Sequence, residues 1–276
     1  MSNKIAIALQ AHPTPRTTFA SDNSAGAHPL IMDALLKANS HHALAYGSDD
    51  LTAMAQDNFK KLFGQQAEAF LVFGGSGANV MALATMLQAG ECVVCSDKAH
   101  IALDETGAPE RALGAKLLML PTTDGKIKPA QLEALNALVG VQHHAQPGVL
   151  SITQPTELGV LYTAAEIKEL CDTAHRMDMR VHLDGARIAN ATAALGGDAA
   201  ALRSFTSDVG VDVVCFGGTK AGLMFGFTSS QPSPSVPNTC ANKSINCLQK
   251  CALSPHNSTH CCTMIYGLNS RNTPMP

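Results

Sequence analysis

The chain has 276 residues, a formal net charge of −3 and 46% hydrophobic residues, so it is long enough for one large domain plus a smaller one. The near-neutral charge provides no basic surface for nucleic acid, and no apolar run has the length of a membrane span. The N-terminal residues lack the apolar core and cleavage site of a signal peptide, and we therefore expect a cytoplasmic protein.

The N-terminal part is predicted to contain an irregular arm and two helices. The arm reaches to about residue 23. A helix over 28–36 is indicated by a proline at its start and apolar residues at helical spacing. A second helix is predicted over 51–63 and ends at Gly64.

Strand-like and helix-like segments then alternate along the chain. Strands that alternate with helices form parallel sheets, so this order predicts a mostly parallel sheet covered by helices. The predicted strands are 69–73, 92–95, 116–120, 148–153, 179–183 and 211–216, and the predicted helices are 78–87, 129–138 and 164–177.

Four of the nine cysteines lie in the first 226 residues, and these are predicted to be buried thiols. Cys92 and Cys95 form a lone Cys-x-x-Cys, and without a second pair at zinc spacing we expect no metal or redox role. A later group has no repeated zinc spacing, and we predict no metal site there either. It consists of Cys247, Cys251, His256, His260, Cys261 and Cys262.

Two polar side chains follow neighbouring strand-like runs: Asp184 after 179–183 and Lys220 shortly after 211–216. Ligands of open α/β sheets bind beyond the carboxyl ends of strands. A lysine amine that holds the aldehyde and a carboxylate that keeps the ring nitrogen protonated are what pyridoxal phosphate needs. Singly, Asp184 could be a turn aspartate and Lys220 a solvated loop lysine. Their joint placement favours a cofactor site.

Two further motifs fit the same site. The glycine-rich residues 74–79 join a strand to a helix, where backbone amides and the helix N-terminus favour a phosphate. The alternative is that these glycines serve packing alone. His100 follows the next strand, where an imidazole could stack on a pyridine ring and transfer protons. The alternative there is an ordinary surface histidine.

Taken in order, these motifs resemble the signatures of threonine aldolases, which are fold-type-I pyridoxal phosphate enzymes of the beta-eliminating lyase and threonine aldolase group. The resemblance covers about 19–226 and includes Ala-Ser-Asp-Asn at 20–23, Tyr-Gly-Ser-Asp at 46–49 and Leu-Gly-Val-Leu-Tyr at 158–162. It implies an α/β large domain over 50–226 with a mostly parallel seven-stranded sheet, preceded by an arm and helix over 1–49. The C-terminal small domain of the family would be largely missing.

The resemblance also implies a role for each matching residue. Lys220 would bind the cofactor aldehyde, Asp184 would pair with the pyridine nitrogen, and His100 would stack on the ring. Gly75, Ser76, Gly77 and Ala78 would surround the phosphate, and Arg187 and Ser21 would lie near the cofactor and the substrate carboxylate.

The implied reaction is a retro-aldol cleavage of threonine or a related β-hydroxy-α-amino acid to glycine and an aldehyde. The protein must hold the breaking bond perpendicular to the ring. The base that takes the hydroxyl proton is either His100 or a water. A different pyridoxal phosphate reaction, such as β-elimination or transamination, and a non-catalytic remnant stay open. The family implies a homodimer or homotetramer.

The resemblance ends abruptly at Gly226. Residues 227–276 contain no Asp or Glu and are rich in Ser, Pro, Asn, Thr, His and Cys. When the codons for 237–258 are read one base out of register, they permit the peptide QYLRKQVNQLSSKMRFISAQF, which resembles the family's continuation. We therefore expect a truncated or frame-shifted C-terminus, with 227–276 as a non-native or disordered tail. The antiparallel strand that the family has after the lysine would then be absent.

Overall fold

The fold is built on one sheet, seen in a computed structural model that describes residues 19–40, 42–223, 228–230 and 262–265. The strands are β1 (Glu68–Phe73), β2 (Glu91–Ser96), β3 (Lys116–Leu120), β4 (Gln146–Thr153), β5 (Arg180–Gly185), β6 (Val213–Phe216), β7 (Thr228–Ser230) and β8 (Cys262–Ile265). They lie in the order β3-β2-β4-β5-β6-β7-β1-β8.

The predicted mostly parallel sheet is confirmed, but the predicted count of seven strands is wrong. Five neighbouring strands, β3-β2-β4-β5-β6, pair in parallel. The other strands pair antiparallel, β7 with both β6 and β1, and β8 with β1. Helical crossovers cover both faces of a parallel sheet, which explains why β5 is buried at every position.

The place between β6 and β1, which we expected to lack a strand, is occupied by Thr228–Ser230. Ser229 pairs there with Val214 on one side and Ala69 on the other. The hydrogen bonds between strands join main-chain N–H and C=O groups. Three residues can therefore continue the sheet whatever their side chains are. Apart from 228–230 and 262–265, the predicted tail lies outside the described residues, and so do Cys247, Cys251, His256, His260 and Cys261. The prediction of a non-native tail stays a prediction.

Helices begin where the sequence provides caps. Thr163 and Glu166 form a capping box at the longest crossover helix, and prolines stand in the first turn of three others. No helix of the described residues is long and apolar enough to cross a bilayer. The helices are α1 (Pro29–Ala38), α2 (Asp50–Phe63), α3 (Gly75–Met86), α4 (His100–Leu103), α5 (Ala108–Leu113), α6 (Pro129–Glu133), α7 (Ala164–Arg176), α8 (Ile188–Leu195) and α9 (Ala199–Ser204).

The predicted helices are confirmed with shifted ends, and four short ones were missed. The helix predicted over 78–87 begins at Gly75, because the glycine-rich segment is its first turn rather than a loop before it. The helix predicted over 129–138 changes to a 3₁₀ helix at Ala134. The missed helices α4, α5, α8 and α9 have four to eight residues, too few for a clear helical periodicity.

The largest apolar core lies between α7 and the sheet. On α7, Ile167, Leu170 and Ala174 recur at helical spacing and are buried. They pack in one cluster with Val181 and Leu183 of β5. The four cysteines before Gly226 are free and buried, as predicted. Burial raises the pKa of the Cys95 thiol to about 12, which makes it a poor nucleophile.

Truncation of one α7 side chain tests this core. Leu170 is 1% exposed, so Leu170→Ala leaves a cavity, and we expect the free energy of unfolding to fall by about 2–5 kcal/mol. Leu158, which is 55% exposed, is the matched control, and Leu158→Ala should change it by less than about 0.5 kcal/mol. Urea unfolding followed by circular dichroism measures both. Equal losses would contradict this description of the core.

Candidate functional site

The candidate site lies where the carboxyl ends of the strands meet. Because β7 is antiparallel to both β6 and β1, β1 runs in the same direction as β6 and ends at the same edge. A cavity of about 210 Å³ opens at this edge. Chain segments that leave β1, β2, β4, β5 and β6 all contribute to its wall. This is the edge where open α/β sheets bind their ligands.

Asp184 provides a buried carboxylate at the end of β5. The residue is 5% exposed and lines the cavity. Its Oδ1 accepts a hydrogen bond from the Ala186 backbone amide at 2.9 Å, and its Oδ2 accepts one from Asn79 Nδ2 at 2.9 Å. Two donors therefore fix the orientation of the carboxylate. A buried carboxylate that faces a cavity favours a cationic group on the ligand.

Lys220 reaches the same cavity through a glycine turn. β6 ends at Phe216, and Lys220 stands in a short 3₁₀ helix that follows Gly217 and Gly218. The Gly217 amide donates to the Gly185 carbonyl at 2.9 Å, and a Cβ at Gly217 would overlap the backbone of Ala186. Glycine thus lets the lysine loop pack against the residues that follow Asp184. The amine and the carboxylate are brought to one cavity.

The first turn of α3 forms another wall. Gly75, Ser76 and Ala78 line the cavity, and Gly74 precedes them with a φ of 84°. The backbone amides of a first helical turn have no partner within the helix, so they can bind an anion. A Cβ at Gly75 would meet no atom within 4 Å, so this side of the turn is open. Gly77 is not in the cavity wall, and a Cβ at this position would lie 3.6 Å from Val72 Cγ1.

His100 begins α4 and lines the cavity with a side chain that is 40% exposed. Its Nδ1 is 2.9 Å from Glu105 Oε1, and its backbone amide donates to Glu157 Oε1 at 2.9 Å. The hydrogen bond to Glu105 raises the pKa of His100 above its ordinary value, although burial opposes the shift. The negative charge of Asp184 acts in the same direction as Glu105.

Arg187 lines the cavity but already has a carboxylate partner. Its guanidinium donates to both oxygens of Asp22, from Nε at 2.5 Å and from Nη2 at 3.2 Å. This hydrogen bonding lowers the pKa of Asp22. Ser21 does not line the cavity, and its Oγ accepts from the Asn23 amide at 3.2 Å to cap a short 3₁₀ helix. The N-terminal segment therefore lines the cavity with Asn23 and reaches Arg187 with Asp22.

Several polar residues that the sequence did not single out for the site also line the cavity, and three of them have an oxygen that is unpaired within the described part of the chain. Asn79, Glu105 and Glu157 each carry a buried oxygen without a hydrogen-bond partner among the described residues. Buried polar atoms are rarely left unpaired, because the loss of a hydrogen bond costs about 1–3 kcal/mol. These unpaired oxygens therefore indicate that the cavity binds a polar ligand. Asn79 stands within the glycine-rich motif and Glu105 stands five positions after His100, but neither spacing alone signals a site.

A row of polar side chains crosses the sheet behind Asp184. Ser151 Oγ lies 2.9 Å from His182 Nδ1, and His182 Nε2 lies 3.1 Å from the sulfur of Cys215, which lines the cavity. Complete burial lowers the pKa of His182 to about 4, so the ring is neutral at physiological pH. The floor of the cavity therefore carries no positive charge from this histidine.

The chain matches the family model described as beta-eliminating lyase over residues 18–226. Low specificity L-threonine aldolases of a Pseudomonas species and of Pseudomonas aeruginosa are 43% and 42% identical to it over 209 residues. That stretch is 75% of this chain and 60% of each relative, so the chain spans about 60% of the length of these curated relatives.

Among solved structures, the threonine aldolase of Leishmania major is similar, with a TM-score of 0.74 and 28% sequence identity. The match covers 85% of this chain and 66% of that structure. The family match ends at residue 226, the position at which the resemblance was predicted to stop.

Two glycine substitutions test how the cavity wall is built. Gly217→Ala forces a methyl group into the Ala186 backbone, and we expect the free energy of unfolding to fall by about 1–3 kcal/mol. Gly75→Ala places the same group in open space and should change stability by at most about 1 kcal/mol, in the stabilising direction. Urea unfolding measures both variants. A destabilised Gly75→Ala together with an unaffected Gly217→Ala would contradict this arrangement.

Proposed function

This chain belongs to the beta-eliminating lyase family, and we propose that it is a pyridoxal-phosphate-dependent aldolase that cleaves threonine or a related β-hydroxy-α-amino acid. The products are glycine and an aldehyde. The observation that carries the proposal is that Lys220, Asp184 and His100 line one cavity at the carboxyl edge of the sheet. The names of the two Pseudomonas relatives support the choice of reaction.

Pyridoxal phosphate fits the chemistry of the cavity wall. The cofactor supplies an aldehyde that captures amines and a protonated ring that withdraws electrons. Lys220 provides the amine that would hold it, and the buried Asp184 carboxylate would keep a proton on the ring nitrogen. The open first turn of α3, at Gly75 and Ser76, suits the phosphate, with Ala78 beside them. Gly77 supports this turn from behind.

Proton transfer and substrate binding fall to the more exposed side chains. Because Nδ1 of His100 is held by Glu105, Nε2 is the ring nitrogen left for the substrate hydroxyl, and His100 or a water that it orients is the base. Arg187 would bind the substrate carboxylate, with its guanidinium oriented by Asp22. Ser21, which precedes Asp22, would lie close to that carboxylate.

Replacement of the lysine tests the proposed function. With Lys220→Ala we expect the protein to lose the visible absorbance of bound cofactor and the release of glycine from threonine. Lys116→Ala is the matched control, because Lys116 is exposed on β3 and does not line the cavity. Cofactor binding that is unchanged in Lys220→Ala would refute the assignment of this amine.

A second pyridoxal phosphate reaction is the competing candidate, because Lys220 and Asp184 alone would serve β-elimination or transamination as well. Product analysis separates these reactions. Release of glycine from threonine supports the aldolase, whereas pyruvate from serine supports β-elimination. The third alternative, a remnant that only associates with intact subunits, predicts co-purification with a full-length relative and no turnover of its own.

We also propose that the protein self-associates through α1. This helix has no buried residue, and its Leu30 and Leu36 are 69% and 72% exposed. Exposed apolar helix faces of this kind mark interfaces, and most soluble oligomers are formed by copies of one chain. A second copy is therefore the proposed occupant, in a homodimer or homotetramer. The cytoplasmic location stays a prediction.

A charge placed on α1 tests this interface. We expect Leu36→Glu to convert the oligomer to a smaller species, because a buried, unpaired carboxylate opposes association. Val139→Glu is the control, since Val139 is 54% exposed and distant from α1 in the sequence. Size-exclusion chromatography with light scattering measures both. A wild-type monomer, or an oligomer indifferent to Leu36→Glu, would refute the proposed interface.

A further inference from the structure

We propose that Glu105 is a positioning residue, which holds the His100 ring directly and the Asp184 carboxylate through Asn79. The inference rests on the proposed function for its catalytic meaning. The contacts themselves can be tested in the protein without cofactor or turnover, so the two proposals can fail separately.

The geometry is a short chain of hydrogen bonds with Glu105 at its centre. Glu105 Oε1 is 2.9 Å from His100 Nδ1 and 2.8 Å from Asn79 Nδ2. The same amide nitrogen is 2.9 Å from Asp184 Oδ2. Both hydrogens of the Asn79 amide are therefore used, one for each carboxylate. Glu105 Oε1 and Asn79 Nδ2 thus connect His100 with Asp184. These are the two residues proposed to contact the cofactor ring.

The central residues of this chain of hydrogen bonds are buried. The side chain of Glu105 is fully inaccessible to solvent, and Asn79 is 1% exposed. A buried carboxylate is unfavourable unless hydrogen bonds and a cationic partner compensate it. Asn79 supplies the hydrogen bond, and the imidazole of His100 is the partner that can carry a positive charge.

The backbone after Glu105 is also unusual. Thr106 has a φ of 56° and Gly107 a φ of 68°, so two consecutive residues lie in the left-handed region. For a β-branched residue such as Thr106 this conformation costs about 1–3 kcal/mol. The turn sends the chain into α5 and leaves Glu105 pointing inward. The fold thus tolerates strain directly beside this carboxylate.

The hydrogen bond to Glu105 determines which ring nitrogen of His100 can exchange a proton with a ligand. With Nδ1 donating to Glu105, only Nε2 can accept a proton from a ligand. The charged groups that act on His100 are Glu105 and Asp184, which raise its pKa, and Lys220, which lowers it, while Glu157 binds its backbone amide. Removal of the charge on Glu105 should therefore lower the pKa of His100 and keep the ring neutral at lower pH.

The first test is an NMR titration of the protein without cofactor. The Glu105→Gln variant keeps the shape of the side chain and removes its charge. We expect the titration midpoint of His100, followed by its ring resonances, to move to lower pH. Glu110→Gln is the matched control, because Glu110 is five positions further along the chain and does not line the cavity. In Glu110→Gln, the midpoint of the His100 titration should equal that of the wild type. An unchanged midpoint in Glu105→Gln would overturn the proposal.

A measurement on the unaltered protein removes any dependence on how the variant folds. Ring nitrogen shifts of His100 report which nitrogen carries the proton in the neutral form. We expect Nδ1 to be protonated, as a donor to Glu105 requires. A neutral ring with its proton on Nε2 would overturn the proposal by itself.

The catalytic consequence is tested by the pH profile of threonine cleavage. We expect Glu105→Gln to lower kcat/KM by about tenfold to a hundredfold, as a misplaced catalytic group does. The acidic limb of the profile should also move to lower pH. An equal loss at every pH would indicate a merely structural role and would contradict the proposal. If the wild type cleaves no threonine, the proposed function fails, and the NMR measurements still decide the role of Glu105.

Discussion

The carboxylate of Asp184 lies at the end of a fully buried strand, and much of the surrounding structure compensates its charge. A buried anion is stable only when donors and cations surround it. The Ala186 amide and the Asn79 side chain provide the donors, and Lys220 lines the same cavity. Asn79 in turn requires Glu105 as a second acceptor, which brings His100 into the same network. Asn79, Glu105 and His100 are thus connected to one buried carboxylate by hydrogen bonds.

Close backbone packing brings the lysine loop to this charge. Gly185 and Gly217 lie where the turns after β5 and β6 approach each other, and a Cβ at either position would clash with backbone atoms. Glycine is needed at both because no side chain fits between the two turns. The same close packing therefore brings Lys220 and Asp184 to one cavity.

The N-terminal segment is joined to the site by polar contacts rather than by an apolar core. The His28 amide donates to the Gly222 carbonyl at 2.8 Å, next to the lysine loop, and Asp22 binds Arg187. α1 contributes no buried side chain of its own. A segment held in this way is stabilised further when a partner covers its apolar face, which links the proposed self-association to the corner of the cavity at Arg187.

The sequence alone was sufficient to identify the alternating elements, the carboxyl-edge placement of Asp184 and Lys220, and the family. These features depend on local patterns: an apolar run, a glycine turn and a polar residue directly after it. The contacts of Asp22 with Arg187 and of Asn79 with Asp184 join residues far apart in the chain, and no local pattern contains them. The same holds for Gly77 and Ser21, which share a motif with cavity-lining residues but do not themselves line the cavity. Only the tertiary structure decided these pairings, because they are set by how the sheet orders its strands and not by which residues are neighbours in sequence.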